Sequence, residues 1–205
     1  MSELTFYTNP MSRGQIVRWA LQEVGAQYEQ VLVNYGEEMK SAEYRKINPM
    51  GKVPAIQHGD NVITECAAIC AYLADAFPDA KLAPDTADRA DYYRWLFFAA
   101  GPLEAAIINK SLGFDVNEEQ QRMAGYGNYD LVVDVLDQWL STRDYVCGDQ
   151  FTMADVYVGA QVDWGVMFKT LPEKPSFIAY AERLRRREPY QQAKAIDAEL
   201  MPKQP

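Results

Sequence analysis

The chain has 205 residues, 48% of them hydrophobic and 24% charged, with a formal net charge of −9. This is the composition of a globular protein with room for one large domain or two small ones. The negative charge argues against nucleic acid as a partner. One histidine and three cysteines without ligand spacing argue against a metal centre.

The start, MSELTFY, has no basic segment ahead of an apolar one, so no secretory signal is expected. An odd cysteine count without framework spacing fits a reducing compartment, and a cytoplasmic protein is expected. Residues 4–7 read as a short strand. Ser12 opens a helix in which Ile16, Val17, Ala20, Leu21 and Val24 keep helical spacing until Gly25. Residues 28–33 read as a second strand and 37–47 as a polar helix stopped by Asn48-Pro49. Residues 53–57 and 61–64 form a hairpin turning at Gly59-Asp60, and 66–77 a helix ended by Pro78. The order β-α-β-α-β-β-α implies a small mixed sheet faced by helices.

Residues 79–86, between prolines and polar positions, read as a linker, separating a first domain at 1–78 from a second at 87–205. Beyond it there is no strand signal. Residues 90–111 form a long aromatic helix kinked at Gly101-Pro102, and its longest apolar run, 95–103, is too short to span a bilayer. Further helices are expected at 117–140, 152–169, 175–187 and 190–200. Thr152 and Asp155 form a capping box, with Phe151 as its hydrophobic staple on Val156. The basic run Arg183, Arg185, Arg186 and Arg187 reads as a solvated face. His58 lies beside a turn with no nucleophile elbow near it, which argues against a Ser-His-Asp hydrolase.

The most informative segment is NPMGKVPAI, residues 48–56, followed by TECAAI at 64–69. A proline donates no backbone hydrogen, so Val53-Pro54 is a poor ladder element. Val53 is instead expected to offer its own N–H and C=O to an extended peptide, with a cis bond before Pro54 holding that edge open. The Thr64-Glu65 turn opens a helix whose free N–H groups and dipole suit a carboxylate. Together these make a site for a small acidic peptide.

These strings resemble the signatures of the cytosolic glutathione S-transferase superfamily: N-x-x-G-x-V-P-A-I, T-E-x-x-A-I, and F-T-x-A-D at residues 151–155. The similarity spans nearly the whole chain and implies a thioredoxin-like α/β first domain followed by an all-α helical bundle. The TNPMSRG loop, residues 8–14, most resembles bacterial members that use a serine near the first helix. The family usually has serine after the glutamate, where this chain has Cys66. A thiol donates weakly, so some affinity is lost while the helix-start N–H groups remain. Cys66 is expected to be chemically inert.

The resemblance implies glutathione as co-substrate, no metal, a small apolar electrophile as second substrate, a detoxifying role and a homodimer. Glu65 and Cys66 would meet the γ-glutamyl end, Val53 and Pro54 the cysteinyl segment, and Lys40 and Lys52 the terminal carboxylate. Trp95, Phe98, Leu103 and Ile107 would line the electrophile pocket. Ser12 is the expected hydroxyl donor to the thiolate, with Tyr7 and Asn9 as rivals; its alternative role is an N-cap. A thiol of pKa near 8.5 is about 3% ionised at pH 7, and lowering it by about two units takes about 2.7 kcal/mol. Because nucleophilicity falls with pKa, the net gain is only about threefold, so positioning must supply most of the rate. A glutathione-dependent disulfide reductase or peroxidase, and a non-catalytic glutathione-binding module, are the competing readings. No cysteine lies in the 8–14 loop to serve the former.

Overall fold

A computed structural model of the chain describes residues 3–202; the first two residues and the last three, at the outer ends of the two expected domains, lie outside the described residues. The contacts divide the chain into two compact units, one running to Leu82 and resuming at Arg186, the other spanning Ala83–Arg185.

In the first unit the elements are β1 (Leu4–Thr8), α1 (Gly14–Glu23), β2 (Glu29–Leu32), α2 (Tyr44–Ile47), β3 (Ala55–His58), β4 (Asn61–Thr64) and α3 (Cys66–Ala76). The four strands form one mixed sheet in the order β2-β1-β3-β4, with β1 parallel to β2 and antiparallel to β3. Leu4, Phe6, Ile16, Leu21, Ile56, Ile69 and Leu73 are wholly buried in it. The expected α/β architecture is present, with three local differences. First, the single helix at 37–47 is two pieces, a 3-10 turn at Glu38–Lys40 and then α2. Ser41 between them is extended, and its hydroxyl accepts from Tyr44 N and caps the second piece. Second, β3 starts at Ala55, because proline has no N–H with which to join the ladder; the bond Val53-Pro54 is cis. Third, α1 starts at Gly14 and not at Ser12.

The second unit is all helix: α4 (Ala90–Phe98), α5 (Glu104–Ser111), α6 (Tyr129–Leu140), α7 (Met153–Met167) and α8 (Pro175–Arg185). Between α4 and α5 the expected kink is a single π turn, Ala99–Leu103. Pro102 has no N–H for the α-helical bond, and the wider turn absorbs that loss. The helix expected over 117–140 is reduced to a 3-10 turn at Gln120–Arg122 and α6, which starts afresh where Asn128 accepts from Leu131 N. Every residue of α7 from 153 to 163 is buried, so this helix is the axis of the unit. Its capping box is formed as expected.

The last helix, α9 (Glu188–Leu200), packs on α1 within the first unit. The sequence reading assigned all of 87–205 to the helical domain; three specific pairs pull the end of the chain back instead. The Trp19 and Tyr190 rings meet edge to face, Arg187 grips Glu23 through two bonds of 2.7 Å, and Arg18 bonds Asp197 at 2.8 Å. The basic run is therefore only partly a solvated face: Arg185 and Arg186 are exposed, while three of its arginines are paired. Arg187 holds a buried Glu23, Arg185 holds a buried Asp163, and Arg183 pairs with Asp144. Among the described residues no helix is long and apolar enough to cross a membrane.

Candidate functional site

Strand register gathers the site. Tyr7, Ala55 and Thr64 are successive partners across β1, β3 and β4. The segments just beyond them therefore emerge side by side: the loop 9–13 after β1, Val53-Pro54 before β3, and Glu65 with the start of α3 after β4. The end of β2 joins them, because Val33 N donates to Thr8 O at 2.8 Å and Asn9 Nδ2 donates to Val33 O at 3.1 Å.

At Val53 the N–H and C=O make no hydrogen bond among the described residues. The side chain packs on Val33, Met39 and Tyr44, which fixes the backbone while leaving its polar edge unused. Pro54 is buried and shapes this edge without offering side-chain surface. The preceding turn is rigid. Lys52 O accepts from Tyr44 Oη at 2.7 Å and Asn48 Nδ2 at 2.8 Å, and burial raises the pKa of the Tyr44 phenol far above its ordinary value. Gly51 has φ +57°, and a Cβ there would lie 2.7 Å from Met39 O. Lys40 Nζ donates to the carbonyls of Met50 and Gly51, so two of its three protons serve the turn. The Lys52 side chain is exposed and makes no ion pair among the described residues. Tyr44 and Asn48 were not singled out from the sequence; the asparagine opening the 48–56 string was the available signal.

Glu65 stands before α3 at φ 65°, a left-handed conformation that costs a non-glycine residue on the order of 1–2 kcal/mol. No side chain caps α3, and the start of a helix, with its dipole, suits an anion. Cys66 is 9% exposed and its thiol donates to Arg13 O at 3.5 Å, tying α3 to the loop ahead of α1. One turn further in, burial pushes the Cys70 thiol well above its ordinary pKa.

Ser12 is 8% exposed, and its hydroxyl is engaged twice. It donates to Asn9 O at 2.7 Å and accepts from Gly14 N at 2.9 Å. The bond to Asn9 O and the expected thiolate contact thus compete for one proton, while the Gly14 N–H occupies only a lone pair. Asn9 is committed to the loop through Val33 O and Met11 N, and the Tyr7 hydroxyl lies 3.5 Å from Gln57 Oε1. Gly14 is required by close approach, since a Cβ there would lie 2.0 Å from the buried, unpartnered Thr8 Oγ1 and 3.0 Å from Ser12 Oγ. Gly14→Ala is expected to lower thermal stability by about 1–3 kcal/mol. Adding Thr8→Ala should return most of that loss in a melting experiment; no recovery would mean the clash is not the cause.

In the second unit, Trp95 and Leu103 have no exposed surface, and Trp95 packs on Phe98 and Trp139 at ring-centroid distances of 5.0 and 5.1 Å. These two expected pocket residues are core, because a fully covered side chain has no surface left to offer a ligand. Phe98 and Ile107 keep part of their surface.

Residues 2–75 match the family described as glutathione S-transferase, N-terminal domain, and residues 94–188 match glutathione S-transferase, C-terminal domain. The chain belongs to the glutathione S-transferase superfamily. It is similar to Glutathione S-transferase 1 of Schizosaccharomyces pombe, at 32% identity over 67% of this chain and 64% of that protein, so it spans just under two thirds of that relative. It is also similar to Glutathione S-transferase Z2 of Arabidopsis thaliana, at 31% identity over 71% of this chain and 69% of that one. Among solved structures, a sphingomonad glutathione S-transferase complexed with glutathione superposes with a TM-score of 0.75 at 26% identity, covering 95% of this chain and 98% of its own. In this superfamily member the N-terminal match holds all four segments of the site.

Proposed function

We propose that the first unit binds glutathione and that the protein conjugates it to a small apolar electrophile. The observation that carries this reading is the unpaired main chain of Val53 beside the uncapped start of α3 at one end of the sheet. A tripeptide pairing with Val53 satisfies two backbone groups that otherwise stay without a protein partner. Its γ-glutamyl carboxylate meets the α3 amides, Glu65 takes the ammonium, and Lys52 takes the glycyl carboxylate. Lys40 stiffens the Met50-Gly51 turn and keeps one proton for the same carboxylate. The cytoplasm as location, a two-fold dimer and a detoxifying role belong to the same reading.

Ser12 is the thiolate donor in this proposal, and its present bond sets a limit on what it gains. Releasing Asn9 O costs about 1 kcal/mol, and a bond to the charged sulfur returns about 1.5–3 kcal/mol. The difference corresponds to about one pKa unit. Calorimetry should detect glutathione binding, and ultraviolet titration of the bound thiol should give a pKa about one unit higher in Ser12→Ala than in the parent. An unchanged pKa removes Ser12 from this role, and absence of binding removes the whole reading.

A further inference from the structure

We infer that Lys194, in the last helix, is a positioning residue for the thiolate donor: through Gln15 it holds the Ser12 loop in place while the Ser12 hydroxyl turns from its carbonyl to the sulfur. The inference rests on the glutathione reading above, with Ser12 as the donor. Lys194 lies in α9 and Gln15 in the first turn of α1, both within the first unit. Lys194 Nζ donates to Gln15 Oε1 at 2.9 Å, and Gln15 Nε2 donates to Pro10 O at 2.6 Å. A lysine ammonium only donates, so it selects the amide oxygen and leaves the NH2 for the loop carbonyl. Its charge also polarises the amide, which strengthens the second bond. The ammonium is steadied in turn by the Tyr190 ring, whose centroid is 5.5 Å away and which packs on Trp19.

The loop needs this hold when the donor acts. At rest Asn9 O accepts from Ser12 N at 3.0 Å and from Ser12 Oγ at 2.7 Å. The neighbouring Pro10-Met11 peptide is pinned on both sides, its oxygen by Gln15 and its N–H by Asn9 Oδ1 at 3.0 Å. When the hydroxyl turns to a sulfur, the turn loses one of these ties. The Gln15 bond survives that change, and it sits one peptide unit along from the carbonyl just released. A donor aimed at a thiolate must be held to about 0.5 Å and 10–20°, so slack in this turn lowers the thiolate fraction. Lys194 thus acts through Gln15 and the loop, and touches neither substrate.

Lys194→Met removes the donor from a half-buried position and keeps the length of the side chain. Ultraviolet titration of bound glutathione should put its thiol about half a pKa unit above the parent, about threefold less thiolate below the midpoint. Gln15→Leu should give the same shift, and Lys194→Arg should restore the parent value. Calorimetric affinity for glutathione at about pH 5, where the thiol keeps its proton, should stay within twofold in all three. In the Ser12→Ala background, adding Lys194→Met should move the thiol no further. No shift from Lys194→Met, no recovery with arginine, or the same shift with and without Ser12 would overturn the inference; the last would mean that the ammonium acts on the sulfur by charge alone or by loosening the fold. A bound thiol unchanged by Ser12→Ala would instead overturn the Ser12 assignment beneath it, and no calorimetric heat with glutathione would overturn the glutathione reading itself.

Discussion

Asp155→Ala is expected to destabilise the second unit by about 4 kcal/mol, read as a lowered denaturation midpoint. The carboxylate is wholly buried and accepts from four donors: Val146 N and Tyr180 Oη at 2.8 Å on one oxygen, Thr152 N at 2.8 Å and Thr152 Oγ1 at 3.1 Å on the other. Alanine strands Val146 N, Thr152 N and Tyr180 Oη, at about 1–3 kcal/mol for each buried donor left unsatisfied, while Thr152 Oγ1 keeps Cys147 Sγ at 3.6 Å. Part of that is returned because the native carboxylate is itself costly to bury. Burial pushes its pKa up from 3.8 to about 6, against four hydrogen bonds that pull it down. A group that binds its proton more tightly when folded stabilises the fold at low pH. Between pH 3.8 and about 6 the folded chain holds more of that proton than the unfolded chain, so stability falls as pH rises, by on the order of 3 kcal/mol in total, and is level above. Asp155→Asn should abolish that slope. It should also lose stability, since its NH2 must face two of the donors. If the difference between parent and Asn variant stays constant from pH 4 to 7, the buried charge is not what sets it.

Removing one partner of the Arg18–Asp197 pair is the second large effect. Both side chains are buried, and the guanidinium also donates to Tyr28 Oη at 3.0 Å while lying over the Phe6 ring at 5.3 Å. Even so, Arg18 Nη2 and Asp197 Oδ2 have no partner, and burial raises the Asp197 pKa against the pull of Arg18. Arg18→Met or Asp197→Leu alone should cost about 3–5 kcal/mol, because each leaves an uncompensated charge inside the first unit. The double variant should be near neutral or more stable than the parent, since two apolar side chains of similar length need no desolvation. Proteolysis adds a second readout: the single variants should release α9 for cleavage ahead of the rest of the first unit. A double variant as weak as either single one would mean that the pair itself, and not the stranding of its partner, carries the stability.

Local rules determined much of this molecule in advance. Val53-Pro54 announced an open strand edge, because a residue without an N–H cannot join a ladder. The Thr152/Asp155 spacing announced a helix start, because a capping box is made by residues three apart. Gly101-Pro102 announced a break in the long helix, found as a π turn. Each of these depends on neighbours along the chain, and so does the open main-chain edge at Val53.

Only the tertiary structure decided matters that depend on residues far apart. Arg18 and Asp197 are 179 positions apart, and Glu23 and Arg187 are 164, so no spacing rule could return α9 to the first unit. The pairing of Arg183, Arg185 and Arg187 was hidden because their acidic partners are scattered through the chain. Trp95 and Leu103 looked like pocket walls because periodicity marks an apolar face without saying whether another helix covers it. The direction of the Ser12 proton was equally hidden, since the carbonyl that captures it is aimed by the fold of the whole loop. Sequence fixes what each residue offers over a turn of helix or a strand; three-dimensional packing decides which distant group takes the offer, because burial and charge compensation act through space.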